Sequence, residues 1–279
     1  MDKNIKRKIG IPFVHLLLLG FGVIWIYPFI WMVTASFKTN SEYISGGLSL
    51  LPEKFQFENY IRAWTTANFS TYFINTVIIT VSVVIIVIVL CAMTGYALGR
   101  YEFPGRKFML IAIAATMFLP KGYTIIPMYT LVNSLGLNNT LAGVILAESG
   151  GAHILFILLF TAHFRGIPKE LEEAAEIDGA GFFRTFVKVM LPLSKPIVAT
   201  TGILQFMWAW NSFLIPLVFT LNKPELRTLG VGMYQFVGEN SIDWTGAAAA
   251  ASISLIPVII VFILFQRYFV EGIAGAVKG

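Results

Sequence analysis

The chain has 279 residues, of which 57% are Ala, Val, Ile, Leu, Met, Phe, Trp, Tyr or Cys and only 13% are charged. Soluble domains carry about 25% charged residues, so the composition excludes an ordinary water-soluble core and is that of an integral membrane protein. The formal charge of +5 comes from basic residues scattered through short hydrophilic connections, without the aromatic interleaving of a nucleic-acid surface, and the single cysteine, Cys91, allows neither an internal disulfide nor a cysteine-based metal site.

Stretches free of Asp, Glu, Lys and Arg mark the crossings, because a spanning helix needs about 20 apolar residues. Lys3, Lys6, Arg7 and Lys8 precede the first stretch, which runs on to Phe37. It is too long for the core of a secretory signal and lacks a small-residue cleavage site, so residues 10–37 are predicted to be the first crossing. The second covers 71–98. The third and fourth, 108–132 and 141–163, are interrupted only by Lys121 and Glu148 and are joined by the turn "LGLNNT" at Leu135–Thr140. The fifth and sixth cover 196–221 and 246–266. Backbone groups cannot be left unpaired in hydrocarbon, and the period-2 pattern of a barrel is absent. The predicted fold is therefore all-α, with six transmembrane helices in a single domain spanning 1–279.

Charge sets the expected orientation. Arg100, Arg106, Lys107, Arg165, Lys169, Arg184, Lys188, Lys195, Arg267 and Lys278 fall on the same side as the N-terminal basic cluster, whereas the opposite side holds only Lys38, Lys54, Arg62, Lys223 and Arg227, with Lys121 near the outer end of the third span assigned to neither. The positive side is the cytoplasmic one, which places both termini inside.

The longest inner connection, 164–195, contains "PKELEEAAEIDGAG" at Pro168–Gly181. Pro168 suits a first helical position, Glu170, Glu172 and Glu173 suit the positive end of a helix dipole, and Gly179 suits a left-handed cap. A short surface helix follows, with Leu171, Ala174, Ala175 and Asp178 on one face. Two adjacent alanines would let another protein approach closely. The pattern alone equally describes a solvated loop helix whose acids balance nearby bases.

The stretch "EAAEIDGAGFFRTFVKVMLP" at Glu173–Pro192 resembles the cytoplasmic signature of membrane subunits of bacterial binding-protein-dependent ABC importers. It carries Glu173-Ala174-Ala175, Asp178-Gly179 and Leu191-Pro192 in the signature's spacing, with Val189 where isoleucine is usual. "GYALGRYEFPGR" at Gly95–Arg106, "WAWNSFLIPLVF" at Trp208–Phe219 and the tail "QRYFVEGIAGAVKG" at Gln266–Gly279 are similar to the carbohydrate branch, close to the six-helix, maltose-type second permease. The resemblance implies a type I importer permease fold and makes the loop helix a coupling helix, lodged in a groove of an ATP-binding subunit. It further implies a second homologous permease, a dimer of ATP-binding subunits that use ATP and Mg, an extracytoplasmic substrate-binding protein and a carbohydrate as solute. The tail from Phe269 is expected to reach into the ATPase dimer.

The chain has no G-x-x-x-x-G-K-[ST] phosphate loop, and His15, His153 and His163 lack metal-ligand spacing. Neither a catalytic group, a bound cofactor nor a metal is expected. Glu148 is a candidate pathway residue because an ionisable group within a span is functional by default; the alternative puts it at a helix start near the outer surface. Gln205, Trp208, Asn211 and Ser212 add amides, a hydroxyl and an aromatic face to the fifth span, the groups that bind sugar hydroxyls and C–H faces. Interface anchoring by Trp208 and Trp210 and interhelical bonding by Asn211 are the alternatives. Tyr123, Tyr129 and Asn133 are lesser candidates. In the long outer connection 221–244, Tyr234 and Glu239 are expected to contact the binding protein, as the resemblance implies; capping of the outer mouth is the alternative. Two other functions stay open: a secondary carrier or channel, for which neither internal repeats nor buried charge pairs are visible, and an ABC permease for oligopeptides, amino acids or phosphate.

Overall fold

The computed structural model describes residues 3–47, 49–65, 68–118, 124–150, 153–236 and 242–277. These residues fold as helices joined by turns, with no β-strand among them. The main helices are α1 (Lys3–Ala35), α2 (Phe69–Arg100), α3 (Arg106–Ala115), α4 (Ile125–Ser134), α5 (Leu141–Ser149), α6 (Ile154–Gly166), α7 (Glu170–Ile177), α8 (Lys195–Trp210), α9 (Leu214–Phe219) and α10 (Trp244–Val277).

Three stretches are single helices long and apolar enough to cross a membrane: Val14–Ala35, Phe69–Arg100 and Trp244–Tyr268. Two further candidates are bent pairs, α5 with α6 at 56° and Phe182–Leu193 with α8 at 81°. The expected third crossing, 108–132, is represented by α3, a 3₁₀ turn at Thr116–Phe118 and α4, and Lys121 and Tyr123 lie outside the described residues. The expected fifth, 196–221, is interrupted at Asn211–Phe213 between α8 and α9. A chain that is helical and this apolar satisfies its backbone within each span.

Residue contacts divide the chain into two compact units, Met1–Ser70 with Gly232–Ile256 and Thr71–Val231 with Pro257–Gly279. In the first, α1 is exposed along its apolar length, as a helix facing lipid or a partner subunit would be; Leu16, Ile24 and Trp25 are 69%, 68% and 75% exposed. The end of α1 is bracketed by the short helix Glu58–Thr65: Asn59 Nδ2 donates to the carbonyls of Ser36 and Lys38, both at 2.8 Å. The Phe37 ring packs against Phe55, Phe57 and Tyr60. Arg62 then grips Asp243 with two hydrogen bonds, Nε to Oδ2 at 2.9 Å and Nη2 to Oδ1 at 3.0 Å. Asp243 also accepts from Asn40 Nδ2 at 3.1 Å and caps α10 by accepting from the Gly246 amide at 3.0 Å. Burial opposes the charge on Asp243, but the bonds from Arg62, Gly246 and Asn40 outweigh it and hold the carboxyl below its ordinary range.

The second unit is built on α2. Its buried residues Ile79, Val83, Val87, Cys91, Ala92 and Tyr96 join Phe156, Phe160 and Phe164 of α6 in one core. Gly95 and Gly99 lie where these helices meet: a Cβ on Gly95 would be 2.4 Å from Phe160 Cβ, and one on Gly99 3.0 Å from the Thr161 carbonyl. Small residues are how membrane helices bring their backbones together. Toward the other end of α2, Asn75 Nδ2 donates to the carbonyls of Glu225 at 2.8 Å and Arg227 at 3.0 Å, and Thr76 Oγ1 accepts from the Leu229 amide at 2.9 Å. This fixes the first half of the long connection 221–244.

Gly95→Leu should lower the thermal midpoint of the detergent-solubilised protein, since overpacking costs about 1–3 kcal/mol. Gly20→Leu, at a site with nothing within 4 Å, should leave the midpoint unchanged. Equal midpoints for the two variants would show that α2 and α6 do not meet closely at Gly95.

Candidate functional site: a capped loop helix and a pair of helix breaks

The loop helix α7 carries three acids in its first turn, Glu170, Glu172 and Glu173, where the dipole favours them. Pro168 lies two residues ahead of it instead of at its first position. Its end has the geometry of a Schellman cap. Gly179 is left-handed at φ +74°, its amide donates to the Glu176 carbonyl at 2.9 Å, and the Ala180 amide reaches back to the Ala175 carbonyl at 2.9 Å. A Cβ at Gly179 would meet nothing within 4 Å, so the glycine is needed for its dihedral and not for space.

The helix is moored by a residue that the sequence analysis did not single out. Arg100, at the end of α2, forms an ion pair with Glu172 in which the two side chains are only 4% and 15% exposed. Its Nη1 donates to the carbonyl of Phe164 at 3.2 Å, which also accepts the Ile167 amide, and to that of Ile167, just past the end of α6, at 2.6 Å. One guanidinium therefore joins the ends of α2 and α6 to the first turn of α7. Next to it the Tyr96 ring contacts those of Tyr101, Phe164, Phe182 and Phe186, with centroids 5.1–5.6 Å apart. "GYALGRYEFPGR" contains Arg100 and Tyr101, but only the fold brings them to Glu172.

The face expected from helical spacing is divided. Ala175 is buried in the chain's own packing, with 8% exposure, because it lies on the same side as Glu172. Glu173, Ala174, Asp178 and Gly179 are exposed, Leu171 is 41% exposed and Ile177 is 87% exposed. The free apolar ridge is thus Leu171, Ala174 and Ile177. Ile177 was legible as an unpaired apolar residue in an acidic helix. Beyond the loop the chain passes through a π-helical turn, Phe186–Met190, before Leu191 and the exposed Pro192 lead into α8.

Glu148, in the last turn of α5, lies at the break between α5 and α6 and not at a helix start. Its Oε1 accepts the hydroxyl of Ser212, which lies at the break between α8 and α9. A carboxylate at a helix C-terminus is opposed by the dipole; the serine hydroxyl offsets that. His153 Nε2 is 3.3 Å from the Glu148 carbonyl, and its ring stacks on Phe156. Asn211 is exposed, with Nδ2 donating to the Met207 carbonyl at 2.8 Å. Trp208 is 44% exposed and stacks on Phe156 at 5.1 Å. Gln205, by contrast, is 1% exposed, and its Oε1 has no hydrogen-bond partner among the described residues. The structure thus brings Glu148 and Ser212 together and separates Gln205 from the accessible face. Of the outer-loop candidates, Tyr234 is 64% exposed, and Glu239 lies outside the described residues. No group of three or more His, Cys, Asp or Glu able to hold a metal occurs among the described residues.

The family described as binding-protein-dependent transport system inner membrane component matches residues 65–275. The diacetylchitobiose uptake system permease protein NgcG of Streptomyces coelicolor is 38% identical over 270 residues, covering 95% of this chain and 86% of that protein. The arabinooligosaccharides transport system permease protein AraQ of Halalkalibacterium halodurans is 34% identical, covering 98% and 100%. Among solved structures, a chain of a bacterial ABC transporter involved in the import of the acidic polysaccharide alginate superposes with a TM-score of 0.83 at 28% identity, covering 96% of this chain and 99% of that one.

If Arg100 and Glu172 act as a buried pair, removing either partner should cost roughly 3–5 kcal/mol. Arg100→Met and Glu172→Met should each lower the melting midpoint in detergent, and the double variant should lie above the sum of the two losses. Additive losses would mean that the two side chains do not interact.

Proposed function

The chain belongs to the binding-protein-dependent transport system inner membrane components, and from that premise we propose that it is the permease subunit of an ATP-driven carbohydrate importer. It is a multi-pass membrane protein and a transport component. In this reading it forms half of a translocation pathway with a second, homologous permease. ATP and Mg are used by a separate dimer of ATP-binding subunits, and an extracytoplasmic binding protein delivers the solute. The absence of a phosphate-loop sequence supports that division of labour. Carbohydrate is supported by the relatives named for diacetylchitobiose and arabinooligosaccharides.

One observation carries the mechanism: a short helix capped at Gly179 and tied by Arg100 to the ends of two membrane helices presents a free apolar ridge flanked by acids. Such a helix is too short to be stable alone, so force applied to it is transmitted through the Arg100 bonds. Leu171, Ala174 and Ile177 seat in the ATP-binding subunit, and Glu173 and Asp178 pair with basic groups around them. Closure of the ATPase dimer then moves α7, and with it α2 and α6. Leu191 and Pro192 continue this movement into α8. At the α5–α6 and α8–α9 breaks, Glu148, Ser212, Asn211 and Trp208 face the solute, and Gln205 joins them on rearrangement of α8. The positive-inside distribution supports α7 and both termini in the cytoplasm, and with them Tyr234 and Glu239 on the binding-protein side. Six crossings complete the topology when α3 and α4 are counted as one span.

The test is uptake by the reconstituted complex with its binding protein. Vesicles should accumulate labelled chito- or arabino-oligosaccharide only with ATP. Gly179→Arg forces a side chain into a left-handed dihedral at about 1–2 kcal/mol and should reduce uptake roughly tenfold while the chain still inserts. Uptake at the wild-type rate by Gly179→Arg would refute the role of α7, and ATP-independent uptake would refute the importer.

A further inference from the structure

The second unit contains a groove of about 760 Å³ bounded by α2, α8 and the later part of α10. Its floor is apolar, with Val84 and Ile88 on one side, Phe206 on another and Val261 and Phe265 on the third. Gly202 keeps the floor open, since a Cβ there would already meet Ile88 Cδ1 at 3.3 Å. Among the described residues Lys195 is the one charged residue of the lining, and Tyr268 also lines it, its carbonyl accepting from Thr200 Oγ1 of α8 at 3.3 Å. Arg267 is a second cation beside Tyr268, its Nη2 donating to the Tyr268 hydroxyl at 2.6 Å.

Length and charge identify the occupant. From Lys195 to Phe206 the groove follows α8 for roughly 16 Å at about 1.5 Å per residue, which is half of a hydrocarbon core about 30 Å thick. Lys195 precedes the apolar run of α8 and follows the loop, so in a bilayer the groove would run from one surface toward the midplane. A cation at that level favours an occupant that carries an anion there. A phospholipid brings its phosphate to that level by construction, with its acyl chain below, while Tyr268 sits where interfacial aromatic residues are favoured. We propose that the groove between α2, α8 and α10 holds an acyl chain of an anionic phospholipid, with Lys195 and Arg267 receiving its headgroup. The site is contiguous with Leu191 and Pro192, which line the same groove, so a resident lipid would lie against the start of α8. It does not depend on which solute is carried.

The experiment uses the whole transport complex in nanodiscs of mixed phosphatidylglycerol and phosphatidylethanolamine, with p-benzoylphenylalanine replacing Phe265, an exposed aromatic residue of the lining. Irradiation should yield lipid adducts on this chain enriched in phosphatidylglycerol. Lys195→Gln in the same background should lower the phosphatidylglycerol to phosphatidylethanolamine adduct ratio about fivefold, the factor expected for one basic residue at an anionic surface. Adducts to the second permease in place of lipid, or an adduct ratio unchanged by Lys195→Gln, would overturn the proposal.

Discussion

A single guanidinium does the joining on which the rest of the structure depends. Arg100 neutralises Glu172 and satisfies the carbonyls of Phe164 and Ile167 at once. Without it α7 would be a two-turn helix lacking this attachment to the ends of α2 and α6. Because Arg100 is held in turn by the packing of α2 on α6 through Gly95 and Gly99, the loop helix inherits the position of two membrane helices. In the proposed mechanism this attachment is what would carry movement of α7 to the spans.

The helices are interrupted between α5 and α6 and between α8 and α9, and within a membrane such irregularity is tolerated only where it is buried in protein or lines a watered cavity. Glu148 and Ser212 join the two breaks through their side chains, so the polar groups of the fifth span are concentrated where the helices are interrupted. Trp208 and Asn211 are accessible there, while Gln205 lies behind them, buried on α8.

Much of this was legible in the sequence because it rests on local chemistry. The membrane class and the all-helical fold followed from charge-free runs, and the left-handed cap at Gly179 followed from a glycine after an acidic helical stretch. Other features depended on distant residues. Helical spacing put Ala175 on the same face as Ala174, but Glu172 is drawn inward to Arg100 and carries Ala175 with it. Nothing in 168–181 signals that pull, since its source is about 70 residues earlier in the chain, as the separation of 72 between the partners shows. Glu148 was ambiguous for a related reason: Gly150 and Gly151 signal a break but not its depth, and only Ser212 fixes what the carboxylate bonds to. The interruption at Asn211–Phe213 was hidden by an apolar run that hydropathy reads as continuous.

In the proposed assembly the ridge of Leu171, Ala174 and Ile177 seats in the ATP-binding subunit. This seating is tested most directly by a single cysteine at Ile177, in a chain with Cys91→Ser, treated with a short bifunctional thiol reagent in the assembled complex against single cysteines around the ATP-binding subunit's surface. A crosslink should form between the two subunits, and Ile177→Cys should be protected from bulky thiol reagents on assembly. Free labelling of that cysteine at the same rate in the isolated chain and in the complex, with no crosslink formed, would contradict it.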